Sequence, residues 1–256
     1  MWLLDTATLR PRQGNESSSE KYAILSHTWE DGVDMSFQAD MAGFHKVDTC
    51  CTDQTSSAEL SEAVNSMFRW YRESYVCYVY LSDFQPLPSR LSEQSRRELT
   101  RDQLRQCRCF TRAWTLQELI APARMEFFDR DWNFIGGKDE LQSTLSDITN
   151  VDRAILEDSS GLPSIPIARK MSWAAYSLLG IFDINLPLLC GEGSKAVLRL
   201  QQQIASQNND LSLFAWQYDD QQDVESPQFG GLLANSSEEF RHCYNLKRHA
   251  DQFQVA

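Results

Sequence analysis

The stretch SSAELSEAVNSMFRWYRESYVCYVYL, residues 56–81, constrains the fold more than any other part of the chain. Leu60, Ala63, Val64, Met67, Phe68 and Tyr71 recur at spacings of three and four, which lays an apolar stripe along one side of a helix. Ser56 and Glu59 supply the capping box that starts it. Such a stripe must be buried. A few residues on, VCYVYL (76–81) is rich in β-branched and aromatic side chains and short enough to be an interior strand. A helix that hands over directly to an interior strand predicts an α/β unit, because parallel neighbours need a helical crossover between them.

The rest of the chain extends this pattern. YAILS at 22–26 predicts the first strand, after a polar loop at 11–20 (PRQGNESSSE). Residues 85–108 begin with Pro86 and Pro88 and continue as a charged, solvated helix. A compact helix around 114–120 stops at Pro122, a strand follows at 125–128, and a helix at 140–148 leads to a loop with Gly161, Pro163 and Pro166. A buried helix is expected over 167–182, an amphipathic one over 196–204, and a turn at Gly230 and Gly231. There is no internal repeat. Strands alternating with helices predict an α/β domain with a mostly parallel sheet flanked by helices.

Composition excludes some functions. The 256 residues carry 24 Lys plus Arg against 36 Asp plus Glu, a formal charge of −12, and no basic cluster stands apart from acidic neighbours. Nucleic acid is therefore not an expected partner. With 42% hydrophobic and 23% charged residues the chain can bury an ordinary core. No run approaches the roughly 18 apolar residues of a membrane span, and Asp5 interrupts any leader, so a cytoplasmic protein is expected. The seven cysteines are odd in number and lack paired knuckle spacing, which argues against a disulfide scaffold or a zinc module. Neither a metal nor a bound cofactor is expected.

Several segments, in order, resemble the fungal heterokaryon incompatibility (HET) domain: YAILSHTW at 22–29, VDTCC at 47–51 and SSAELSEAVNSMFRWYRESYVCYVYLSD at 56–83. So do FTRAWTLQELIAP at 110–122, FFDRDWNFIG at 127–136 and MSWAAYSLLGIFDINLPLLCGEGSKAVLRLQQQI at 171–204. The resemblance implies a lead-in at 1–20 and a HET domain at 21–205 with appended C-terminal helices. It also implies, at 206–256, the truncated start of the region that follows HET in longer members. Two internal deletions are expected. Only 17 residues, EDGVDMSFQADMAGFHK, separate Trp29 from Val47, where the family usually has a helix and a strand, and Ala175 abuts Tyr176 where a polar stretch is usual. The family implies non-self recognition that triggers programmed cell death, a form of innate immunity acting through protein partners or self-association.

HET domains in turn look distantly like TIR domains, so a TIR-like sheet is expected. Catalytic TIR domains share a helix opening with Trp and a Glu four residues later that cleaves nicotinamide from NAD. The matching residues here are Trp114 and Glu118, one helical turn apart. Glu118 is the candidate catalytic carboxylate and NAD the candidate substrate. His27 and Trp29, just past the first strand, are candidate ligand contacts, because open α/β sheets bind ligands beyond the carboxyl ends of their strands. Asp48, Arg112 and Trp114 complete the candidate ligand set. A thiolate mechanism using Cys50 or Cys51 with His27 is a weaker alternative. Gly191-Glu192-Gly193 reads as a turn into a helix rather than a dinucleotide fingerprint, since Pro187 interrupts the preceding apolar run. Two other readings stand: an interaction module without chemistry, and a degenerate, inactive copy.

Overall fold

In the computed structural model the described residues are 2–4, 8, 11–13, 21–28, 57–111, 115–173, 181–184, 194–217 and 231–247, with backbone alone at 2–4, 11–13, 57–64, 111, 115 and 194. The chain divides into two compact units, Met1–Ser159 and Ser160–Ala256.

The first unit opens with a two-stranded antiparallel ribbon, β1 (Trp2–Leu4) against β2 (Pro11–Gln13). This corrects the loop expected over 11–20 at residues 11–13; residues 14–20 lie outside the described ones. Pro11 cannot donate to a ladder, but a two-stranded ribbon has a free edge on each strand where that deficit is tolerated.

The main sheet has four strands in the order β3 (Ala23–His27), β4 (Val76–Tyr80), β5 (Met125–Phe128) and β6 (Phe134–Gly137). The first three are parallel and the last is antiparallel to β5. β4 lies between β3 and β5, as its apolar run predicts. β6 was not anticipated, because FIGG has little strand propensity of its own; the ladder with β5 supplies what the residues lack. Asp129 organises the connection between them. Its Oδ1 accepts the backbone N–H groups of Asp131 and Asn133, each at 2.9 Å, which lets Trp132 adopt a left-handed φ of 62°.

Register settles which side chains share a face. Ile24 and Ser26 line up with Cys77 and Val79 and then with Met125 and Phe127, and all six are at most 3% exposed. The opposite face carries Tyr78, Tyr80 and Phe128 at intermediate exposure, with His27 in register with Tyr80.

The predicted helix is α1 (Ser57–Glu73); of its apolar stripe, Phe68 and Tyr71 are buried and Met67 is at intermediate exposure, while the side chains of Leu60, Ala63 and Val64 lie outside the described ones. Trp70 is also buried, Tyr22 donates its hydroxyl to the Trp70 carbonyl, and the turn at Ser74 and Tyr75 delivers the chain into β4. Helix α2 (Glu93–Gln106) is the expected solvated helix; Ser92 caps it by accepting the Ser95 N–H, and Thr100 and Leu104 are its buried residues. Helices α3 (Thr115–Ile120), α4 (Lys138–Thr149) and α5 (Arg153–Glu157) follow among the described residues of the unit. α3 contacts α1 and α5, and α4 contacts β5 and α5.

In the second unit, α6 (Ile167–Met171) ends in a turn at 172–173, so the helix expected over 167–182 is interrupted there; residues 174–180 lie outside the described ones. The helix closes on itself at its C-terminus, where Ser172 Oγ bonds the Arg169 carbonyl and the Trp173 N–H bonds that of Lys170. Its N-terminus is capped from afar: Asp210 accepts the Ile167 N–H and Ser212 Oγ the Ala168 N–H. The amphipathic helix is α7 (Ser194–Gln207), with Val197, Leu200, Gln201 and Ile204 buried. The Gln201 amide meets both backbone groups of Ala234, at 2.7 and 2.9 Å. No helix among the described residues is long and apolar enough to cross a membrane.

Candidate functional site

Helix α3 is six residues long, too short to be stable by its own hydrogen bonds. It persists because it is enclosed: Leu116, Gln117, Glu118, Leu119 and Ile120 are all 7% exposed or less. Enclosure places two polar side chains, Gln117 and Glu118, inside the protein. A buried carboxylate is costly unless hydrogen-bonded. Ser26 answers that requirement, donating its hydroxyl in a short bond to Glu118 Oε2 across 92 residues of sequence. Ser26 stands next to last in β3, so the bond ties the candidate carboxylate to the carboxyl end of the first parallel strand.

A second anchor holds the end of the same helix. Lys138, the first residue of α4, is 5% exposed, and its ammonium donates to the carbonyls of Pro122 at 2.7 Å and Ile120 at 3.4 Å. Carbonyls at a helix C-terminus carry the negative end of the helix dipole and lack partners within the helix. Burial nevertheless lowers this lysine from 10.5 to about 8, with partial relief from Cys77. Cys77, wholly buried in β4, is pushed well up, first by burial and then by the Glu118 carboxylate, with Lys138 acting in the opposite sense. That thiol is therefore held neutral and is no nucleophile. Gln117 is fully buried, and neither its amide nitrogen nor its oxygen has a hydrogen-bond partner among the described residues.

Of the residues singled out in the sequence, Glu118 lies at this centre. His27 ends β3, and the strand's alternation sets it on the face with Tyr80 and Phe128, whereas Ser26 faces α3. Trp29, Asp48, Cys50, Cys51, Arg112, Trp114 and the Gly191–Gly193 turn lie outside the described residues. Arg124, a cation close in sequence to Glu118, pairs with Glu126. An open cleft of about 460 Å³ lies beside α4, bordered by Arg124, Glu126, Phe134, Lys138, Asp139 and Glu140. Glu118 does not line it. Among the described residues, no group of three or more His, Cys, Asp or Glu side chains is arranged to hold a metal.

Sequence reasoning passed over Ser26, Cys77, Gln117 and Lys138. One signal was present for Ser26: it is the hydroxyl residue at the carboxyl end of an otherwise apolar strand, where a buried polar group must have a partner. Lys138 gave none, since a lysine at the start of an amphipathic helix ordinarily points to solvent.

No family model matches the chain, and no solved structure matches it. The sequence is 37% identical to vegetative incompatibility protein HET-E-1 of Podospora anserina, over 91% of this chain and 20% of that protein, so the chain spans about one fifth of the length of the curated relative it matches. Identity at that level, carried along nearly all of these residues, makes the chain a member of the fungal HET-domain type.

Proposed function

We propose that this protein acts in fungal vegetative incompatibility by cleaving NAD at the bond between nicotinamide and ribose, with Glu118 as the catalytic carboxylate. The observation that carries the proposal is the hydrogen bond that ties Glu118 to Ser26 at the carboxyl end of β3, the end at which open α/β sheets bind ligands. Breaking that bond leaves positive charge on the ribose carbon as neutral nicotinamide departs. A fixed anion in a poorly solvated site stabilises the developing cation more than one in water would, and water then adds to give ADP-ribose. The one-turn spacing of Trp114 and Glu118 and the TIR-like reading of the sheet support the same chemistry, as does the incompatibility role in the relative's name. We place the HET domain at 21–205; the internal deletions proposed within it draw support from the aligned stretch of 278 positions, which exceeds the 256 residues of this chain.

Nicotinamide release from NAD by purified protein, measured for wild type, Glu118→Ala and Glu118→Gln with circular dichroism as the folding control, tests the proposal. Wild type should release nicotinamide and both folded variants should lose at least two orders of magnitude. Equal release from all three overturns it.

A second reading, an interaction module that signals cell death through partners or self-association, is favoured by the aromatic face of the sheet. Tyr80 stacks on Trp132 at 4.7 Å, Phe128 packs edge-on against Phe134 at 5.8 Å, and Phe134 is 57% exposed. Toxicity that survives Glu118→Gln and is lost on Phe134→Ser favours the module.

A further inference from the structure

We propose that Ser26 is the positioning residue for Glu118, setting the orientation of the carboxylate and favouring its ionised form; the inference rests on the catalytic reading of Glu118. Three observations carry it. Ser26 is 2% exposed and follows Ile24 and Leu25, both buried, a setting in which a small apolar residue would pack as well. A buried hydroxyl in a strand most often bonds to nearby backbone, whereas this one bonds to a carboxylate on a different element. The mount is regular: β3 runs in continuous parallel register with β4 from Ala23 to His27, which fixes the backbone from which the donor projects.

The Glu118 carboxyl group turns about its last side-chain bond, and the Ser26 hydroxyl bears on that rotation from an element outside its own helix. A hydroxyl donating to Oε2 selects one rotation of the carboxyl plane. Donation also stabilises the anion over the acid, so removing it should make the carboxylate harder to ionise. Positioning of this kind is expected in kcat more than in KM, because it concerns charge developed in the transition state.

The test is the pH profile of nicotinamide release by the full chain for wild type, Ser26→Ala, Ser26→Thr and Glu118→Gln, with circular dichroism on each. Ser26→Ala should lose on the order of tenfold in kcat with KM nearly unchanged, and the acidic limb of its profile should move to higher pH. Ser26→Thr, which keeps the hydroxyl, should restore the limb. Should Ser26→Ala not fold, Ser26→Cys, close in size and a weak donor, carries the same expectations. A wild-type limb and kcat in the folded Ala or Cys variant, with Glu118→Gln inactive, overturns this inference alone. Glu118→Gln as active as wild type, or folded wild type without release, overturns the catalytic reading and this inference with it.

Discussion

Replacing Lys138 by methionine offers a direct measurement of the anchor at the end of α3. The lysine is 5% exposed and titrates at about 8 instead of 10.5, principally because burial penalises its charged form. Lowering a lysine by that amount makes the folded protonated state about 3 kcal/mol more costly, relative to the neutral state, than it is in the unfolded chain. The sign follows from proton counting. Below pH 8 both folded and unfolded chains hold the proton and the whole penalty is present; between about 8 and 10.5 the unfolded chain holds more protons, so stability rises with pH as the penalty is relieved. Methionine keeps roughly the volume, removes the titration, and leaves the carbonyls of Pro122 and Ile120 without their donor, a loss of about 1–3 kcal/mol. Urea unfolding of wild type and Lys138→Met at half-unit intervals from pH 7 to 10.5 separates the two effects, because the other titrating groups are common to both proteins. The stability difference, wild type minus variant, should widen by about 3 kcal/mol toward high pH, with most of the change above pH 8. A difference that stays flat across the range would refute the claim that burial depresses the titration of Lys138.

Other perturbations read the same unit. Gln117→Met removes a fully buried amide that has no hydrogen-bond partner among the described residues, so stability should be unchanged or higher by about 1 kcal/mol; a loss beyond about 1 kcal/mol in urea would show that the amide is satisfied in solution. Asp129→Ala strips the β5–β6 connection of acceptors for two backbone N–H groups and the Asn133 side chain at a site 3% exposed, and should cost about 2–4 kcal/mol in thermal or urea unfolding, whereas Asp129→Asn, which keeps one acceptor oxygen, should cost less. Equal losses for the two substitutions would mean that charge, and not acceptor geometry, holds the turn.

Local pattern alone carried the secondary structure wherever a segment's own residues favoured it. The stripe from Leu60 to Tyr71 is helix α1, the VCYVY run is an interior strand, and the charged 93–106 segment is a helix largely exposed to solvent. These follow from periodicity, because a helix or strand with one apolar face has few ways to bury it. Segments whose state is set by a distant partner read less well. FIGG becomes a strand only beside β5, and Pro11–Gln13 only beside Trp2–Leu4. The apolar run after Ile167 looked like one long helix, but its first helical segment ends at Met171 in a turn of its own.

The candidate site divides along the same line. Residues in series were enough to choose Glu118, since the one-turn spacing from Trp114 and the resemblance to HET and TIR domains both lie along the chain. They could not supply Ser26, 92 positions away, nor Lys138 at the carbonyls of α3, because a hydrogen bond between elements depends on how the sheet and helices pack. Nor could they foresee that α3 would be buried on every described side, the circumstance that makes a polar Glu118 costly and its partners necessary. What the sequence by itself determined is which carboxylate to ask about and the alternation of helices and strands around it. Only the tertiary structure decided which groups hold that carboxylate, because burial changes the energetics of a charge and sequence distance says nothing about burial.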